Sequence, residues 1–69
     1  MTKTRCSFSL RISMANAAFD DDDPGVELSR ILRDIARKVD FQTIYPGSGE
    51  HAIMDINGNK VGKAKISRV

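Results

Sequence analysis

Residues 5–14 read Arg5-Cys6-Ser7-Phe8-Ser9-Leu10-Arg11-Ile12-Ser13-Met14 and alternate between polar and apolar side chains without a break. Successive side chains of an extended chain point to opposite sides. The run is therefore a strand, with Cys6, Phe8, Leu10, Ile12 and Met14 on one face and Arg5, Ser7, Ser9, Arg11 and Ser13 on the other. An apolar strand face commits the rest of the chain to supplying a layer that covers it. Sixty-nine residues leave room for a single domain, 1–69, with a small core. Cys6 is the only cysteine, so no intrachain disulfide can form. Cys6 and the only histidine, His51, cannot complete a closed Cys/His zinc site. Packing, or association with another chain, has to hold such a fold.

A helix supplies the covering layer. Asp23 suits an N-cap and Pro24 the first helical position, and Leu28, Ile31, Leu32, Ile35 and Val39 then recur at spacings of three and four, which predicts a helix from residue 24 to about 39. Its other side is charged, with Glu27 and Arg30 at i,i+3 and the pairs Arg30/Asp34 and Asp34/Lys38 at i,i+4. Residues 40–49 are irregular, punctuated by Pro46, Gly47 and Gly49. Beyond them, two short runs flank Asn57-Gly58, a strong hairpin signal. A two-residue turn there puts Lys63 and Lys65 on the same side as Ala52, Met54 and Ile56. Shifting parity by one, through a three-residue loop or a bulge, groups Ala52, Met54, Ile56, Gly62, Ala64 and Ile66 inward. His51, Ile53, Asp55, Val61, Lys63 and Lys65 then face outward. The second arrangement buries no lysine and is the one expected. The order strand, helix, strand, strand predicts a small two-layer α+β domain of β-α-β-β type, one helix packed on a three-stranded sheet whose opposite face is uncovered.

Several functions are excluded on this reading. The longest apolar runs are triplets such as Ala52-Ile53-Met54, against about 20 residues for a membrane span, and no signal-peptide pattern is present. One unpaired cysteine fits a reducing compartment, so a cytoplasmic protein without a membrane partner is expected. Cys6 falls on the inner face, where a thiol is inert, and His51 on the outer, so no thiol–imidazole pair is expected. No pair of carboxylates with opposed environments is visible, and the chain is read as a non-enzyme without cofactor or metal. Asp55-Ile56-Asn57-Gly58-Asn59 copies the start of a calcium loop, but Lys60 stands where glycine is needed and Ile66 where an acidic ligand is needed.

Four surfaces are candidate contacts. Asp20, Asp21, Asp22 and Asp23 carry more charge than a helix cap requires and imitate phosphate spacing toward a basic partner. Arg30, Arg33 and Arg37 run along the outer helix face with Lys38 beside them, and suit phosphates or an acidic protein surface. Tyr45, with Phe41 and Ile44, offers an apolar contact in the second loop. The uncovered sheet face gathers Arg5, Arg11, His51, Lys63 and Lys65 among Ser7, Ser9 and Ser13. It is the nucleic-acid alternative, centred on Arg11, Lys63 and Lys65, and its lack of aromatics suits grooves better than single-stranded bases. A net charge of +2 does not by itself demand such a partner.

The segments Arg11-Ile12-Ser13-Met14-Ala15-Asn16-Ala17-Ala18-Phe19, Glu27-Leu28-Ser29-Arg30-Ile31-Leu32-Arg33-Asp34-Ile35-Ala36 and Asp55-Ile56-Asn57-Gly58-Asn59-Lys60-Val61-Gly62 together resemble a widespread group of small, functionally uncharacterised proteins of phages, prophages and their bacterial hosts. The resemblance spans most of the chain, and its motifs are structural, so no catalytic residues come with it. Residues 41–49 are longer and more apolar than the group's pattern. The resemblance implies a non-enzymatic protein that binds and inhibits or modulates a host protein or ribonucleoprotein complex in the bacterial cytoplasm, of the anti-CRISPR or another anti-defence kind. Its contacts would be the acidic run, the basic helix face or the second loop. A small DNA-binding accessory or regulatory module is the alternative, and a homodimer formed through the sheet face or a strand edge is the third reading.

Overall fold

The computed structural model of the chain describes residues 5–20 and 23–68. The alternating run forms β1, Cys6–Ile12, after which a 3-10 turn at Ala17–Phe19 leads to the 17-residue helix α1, Pro24–Asp40. β2, His51–Met54, and β3, Lys60–Arg68, follow. β3 is central and antiparallel to both neighbours, in the order β1-β3-β2, so β1 and β2 run the same way on opposite edges. One helix on a three-stranded sheet is the α+β layer pair expected from the sequence.

The ends of α1 follow from local chemistry. The Asp23 carboxylate accepts the Gly25 N–H at 3.0 Å, and Pro24 occupies the position where a missing donor is harmless. At the other end, Gln42 N–H donates to the Val39 carbonyl at 3.2 Å and Thr43 N–H to the Lys38 carbonyl at 2.8 Å, with Gln42 left-handed at φ 59°. This closing turn returns the chain so that Ile44 is fully buried, while Phe41 and Tyr45 stay exposed.

Phe19, Ile31, Ile35, Ile44, Ile53, Val61 and Ala64 form the core, with Leu10, Ile12, Leu28 and Ile66 packed around it. Ile53 and Val61 correct the expected hairpin register. The loop does have three residues: Asp55 N–H donates to the Asn59 carbonyl at 2.9 Å, and Gly58 alone within it has a positive φ, 82°, where a type I′ turn would need two. A bulge then follows at Val61, because Met54 pairs with Lys60 but Ile53 pairs with Gly62. The second shift cancels the first. Ile53, Asp55 and Val61 are consequently buried, and Ala52, Met54 and Ile56 are exposed, the reverse of the expectation. Beyond the bulge, Ala64 and Ile66 keep the inner face and Lys63 and Lys65 the outer, as expected.

Other placements differ as well. Cys6, Phe8 and Met14 share the inner face of the alternating run but are exposed, because the helix covers this side only in part. His51, expected outside, is half-buried and stands across from Ala64 on the inner side, a result of the same register change. Gly62 admits no side chain. A Cβ there would collide with the Arg11 carbonyl, so the close approach of β1 to β3 depends on it.

Candidate functional site

Glu27 and Asp55 are the buried carboxylates among the described residues, and such groups are where acid–base chemistry would be sought. Both are occupied by the fold. Glu27 accepts from Arg30 Nε at 2.6 Å, from Arg30 Nη2 at 3.1 Å and from the Ile56 N–H at 2.8 Å. Asp55 accepts the N–H groups of Asn57 at 2.9 Å and Asn59 at 2.8 Å, and Nδ2 of Asn16 at 3.1 Å. The Arg30 guanidinium, aided by the Ile56 N–H, holds the Glu27 carboxyl below its ordinary range against the opposing effect of burial. Burial pushes the Asp55 carboxyl up, but the Asn59 N–H, the Asn16 and Asn59 side chains and the Asn57 N–H together more than offset it, and it too is held low. Both are charged at neutral pH, and together they fasten the helix start and residue 16 to the hairpin tip. Cys6 and His51 belong to opposite edge strands with β3 between them, about two strand spacings or ~10 Å apart at the least. They do not meet.

The outer face of the sheet is where charge accumulates. Pairing of β1 with β3 sets Arg11 directly across from Lys63, Ser9 across from Lys65 and Ser7 across from Ser67. Arg11, Lys63, Lys65, Ser7 and Ser9 are exposed, and the helix lies on the other side. The bulge adds a fourth cation, since Lys60, across from Met54, now shares this face and borders a shallow depression with Arg11, Ser13 and Lys63. Sequence reading misses Lys60 because positions 60 and 63 have opposite parity, and only the extra residue at Val61 reconciles them. Glu50 reaches the patch with Oε1 3.3 Å from Lys63 Nζ, but both side chains are more than half exposed. Such a pair is weak and sensitive to salt. Like charges directly across two strands oppose folding by a few tenths to about 1 kcal/mol. The fold does not need the Arg11/Lys63 pair, and a ligand with regularly spaced negative charge would relieve it.

The other candidates are less coherent. Arg30 is engaged by Glu27, which leaves Arg33 and Arg37 as the exposed arginines of the helix stripe, neither in an ion pair among the described residues. Arg33 borders a depression with Asp23, and Arg37 lies beside Asp34, so carboxylates interrupt the positive field. Asp34 is itself held below its ordinary range, chiefly by Lys38 at 3.0 Å, and the expected Arg30/Asp34 pair does not form. Asp20 is exposed after the 3-10 turn and Asp23 caps the helix, while Asp21 and Asp22 lie outside the described residues. Tyr45 is half exposed in a turn closed by the Ser48 hydroxyl, which accepts the Tyr45 N–H at 3.2 Å. His51 does not join the basic face because it faces inward, and Arg5 is exposed just ahead of β1.

No family model, curated protein or solved structure matches the chain. Among the described residues no helix is long and apolar enough to cross a membrane.

Proposed function

We propose that the chain is a small non-enzymatic binding protein that engages nucleic-acid duplexes of its host through the outer face of β1 and β3. One observation carries the reading: Arg11 stands across from Lys63, flanked by Lys65 and Lys60, on an exposed sheet face with serine hydroxyls between the cations. Four cations on one side make a local field that the net charge of +2 conceals. The long side chains reach phosphates, and the short serines allow the strands to approach closely and donate further hydrogen bonds. A two-stranded antiparallel ribbon is about the size a major groove admits, and β1 with β3 forms one seven positions long.

Fluorescence anisotropy of a labelled duplex tests it, with two charge-matched double reversals, Arg11→Glu/Lys65→Glu and Arg33→Glu/Arg37→Glu. The sheet-face variant is expected to lose at least ~10-fold in affinity and the helix variant little. The wild-type salt slope should correspond to about three or four neutralised phosphates. Equal loss in both variants, or no binding at low salt, defeats the proposal. A second reading, inhibition of a host defence protein, draws support from the exposed Arg33 and Arg37. It requires that the helix variant lose inhibition of a host defence assay while duplex binding persists.

A further inference from the structure

The two edges of the sheet are built differently. β2 has four residues, is bulged against β3 and follows Pro46-Gly47-Ser48-Gly49, features that discourage pairing with another chain. β1 pairs with β3 over its seven residues without a shift and contains no proline, glycine or lysine. Ser13 N–H donates to the Val61 carbonyl at 2.7 Å. Odd-numbered residues of this segment therefore turn their backbone groups toward β3, and the even-numbered Cys6, Phe8, Leu10 and Ile12 turn theirs to the free edge. The same four carry the apolar side chains, and none is fully buried. Phe8 is 49% exposed, and above it Leu32 and Val39 of the helix are 43% and 39% exposed. These residues, with Cys6, Leu10 and Ile66, border an open apolar groove of about 590 Å³ along that edge.

We propose that this edge and groove form the interface between two copies of the chain, β1 pairing antiparallel with its twin about a two-fold axis at Ser9. That axis pairs the whole of Cys6–Ile12 with itself. Phe8 meets Leu10 of the second copy and Cys6 meets Ile12, each through the backbone groups that already point outward, and Ser9 meets Ser9. Parity is preserved. The apolar side chains of both copies stay on the helix side, where Phe8, Leu32 and Val39 of one copy close the groove of the other, while Ser7 and Arg11 remain on the basic face. Covering those three side chains removes roughly 200–250 Å² of apolar surface per copy. With the strand flank, the pair buries on the order of 1,000 Å², the lower bound of a specific interface, so the dimer forms in the micromolar range or above and dissociates on dilution. The inference is independent of the proposed ligand, although pairing joins the two basic faces into one.

Sedimentation equilibrium of the full chain, from low micromolar to near-millimolar protein, is expected to show a monomer–dimer equilibrium. In a Cys6→Ser background, Ser9→Cys places two thiols across the axis with Cα atoms ~4.5–5.5 Å apart, within disulfide reach, and mild oxidation should yield a covalent dimer. Ser7→Cys in the same background, facing Arg11 of the second copy, should not. Phe8→Pro removes an N–H from the free edge but none from the β3 ladder, and should weaken dimerisation at least ~10-fold with an unchanged far-UV circular dichroism spectrum. A chain that stays monomeric at near-millimolar concentration overturns the proposal. So does a dimer in which Ser9→Cys fails to cross-link, a readout that stands even if the proline variant does not fold.

Discussion

The Asp55 carboxylate holds two N–H groups of its own turn and the Asn16 amide within 3.1 Å, and Glu27 holds the Arg30 guanidinium and the Ile56 N–H. Both carboxyls titrate below their ordinary values in the folded chain. The unfolded chain thus binds protons first as the pH falls. The stabilisation is complete above the unfolded carboxyl range near ~4 and is lost as the pH drops through the lower folded values. The midpoint of thermal unfolding is expected to be flat from neutrality to about pH 5 and then to fall toward pH ~3. Asp55→Asn should lower the midpoint at neutral pH and flatten the acid limb. A wild-type profile that stays flat to pH ~3 would contradict the roles given to both groups. Gln42 is the residue-scale case of opposite sign. It holds the left-handed position of the helix C-terminal turn, where glycine carries no steric penalty. Gln42→Gly is expected to raise stability by about 0.5–1 kcal/mol in urea unfolding, and a loss would show that the Gln42 side chain does more than fill the turn.

Among the elements, α1 and the alternation of β1 were legible because their signals are local: a cap, a proline, and periods of 3.6 and two residues. The hairpin was legible only in part. Asn57-Gly58 marks the turn, but how many times parity changes before β3 settles depends on which of Ile53 or Met54 the core accepts. That is a long-range packing choice, and it turned Asp55 inward and brought Lys60 to the outer face. Arg11, Lys63 and Lys65 were legible because the preferred lysine placement already set them on one face. The burial expected of Cys6 does not hold, because alternation assigns a face and not the amount of cover over it. Like charges across β1 and β3 carry a testable consequence. Arg11→Glu turns the repulsive pair with Lys63 into an attractive one, so the free protein is expected to gain up to about 0.5–1 kcal/mol in urea unfolding while it loses duplex binding. Loss of both stability and binding would mean that Arg11 is a structural residue.

At the scale of the whole molecule, a small core centred between α1, β2 and β3 leaves β1 partly covered on its inner face and basic on its outer. The two sides suit different contacts: an apolar edge for a second copy and a cationic sheet for phosphates. Overall charge gives little hint of either, since carboxylates near the helix balance the cations of the sheet. The proposed function requires that the sheet, and not the helix, meet a polyanion. Arginine Nε–Hε resonances report it face by face in a ¹⁵N correlation spectrum recorded while a short duplex is added. The Arg11 signal should move in a saturable manner and those of Arg33 and Arg37 should stay in place. Movement of the helix arginines with Arg11 unchanged, or no movement of any at low salt, would rule out the outer sheet face as the site of that contact.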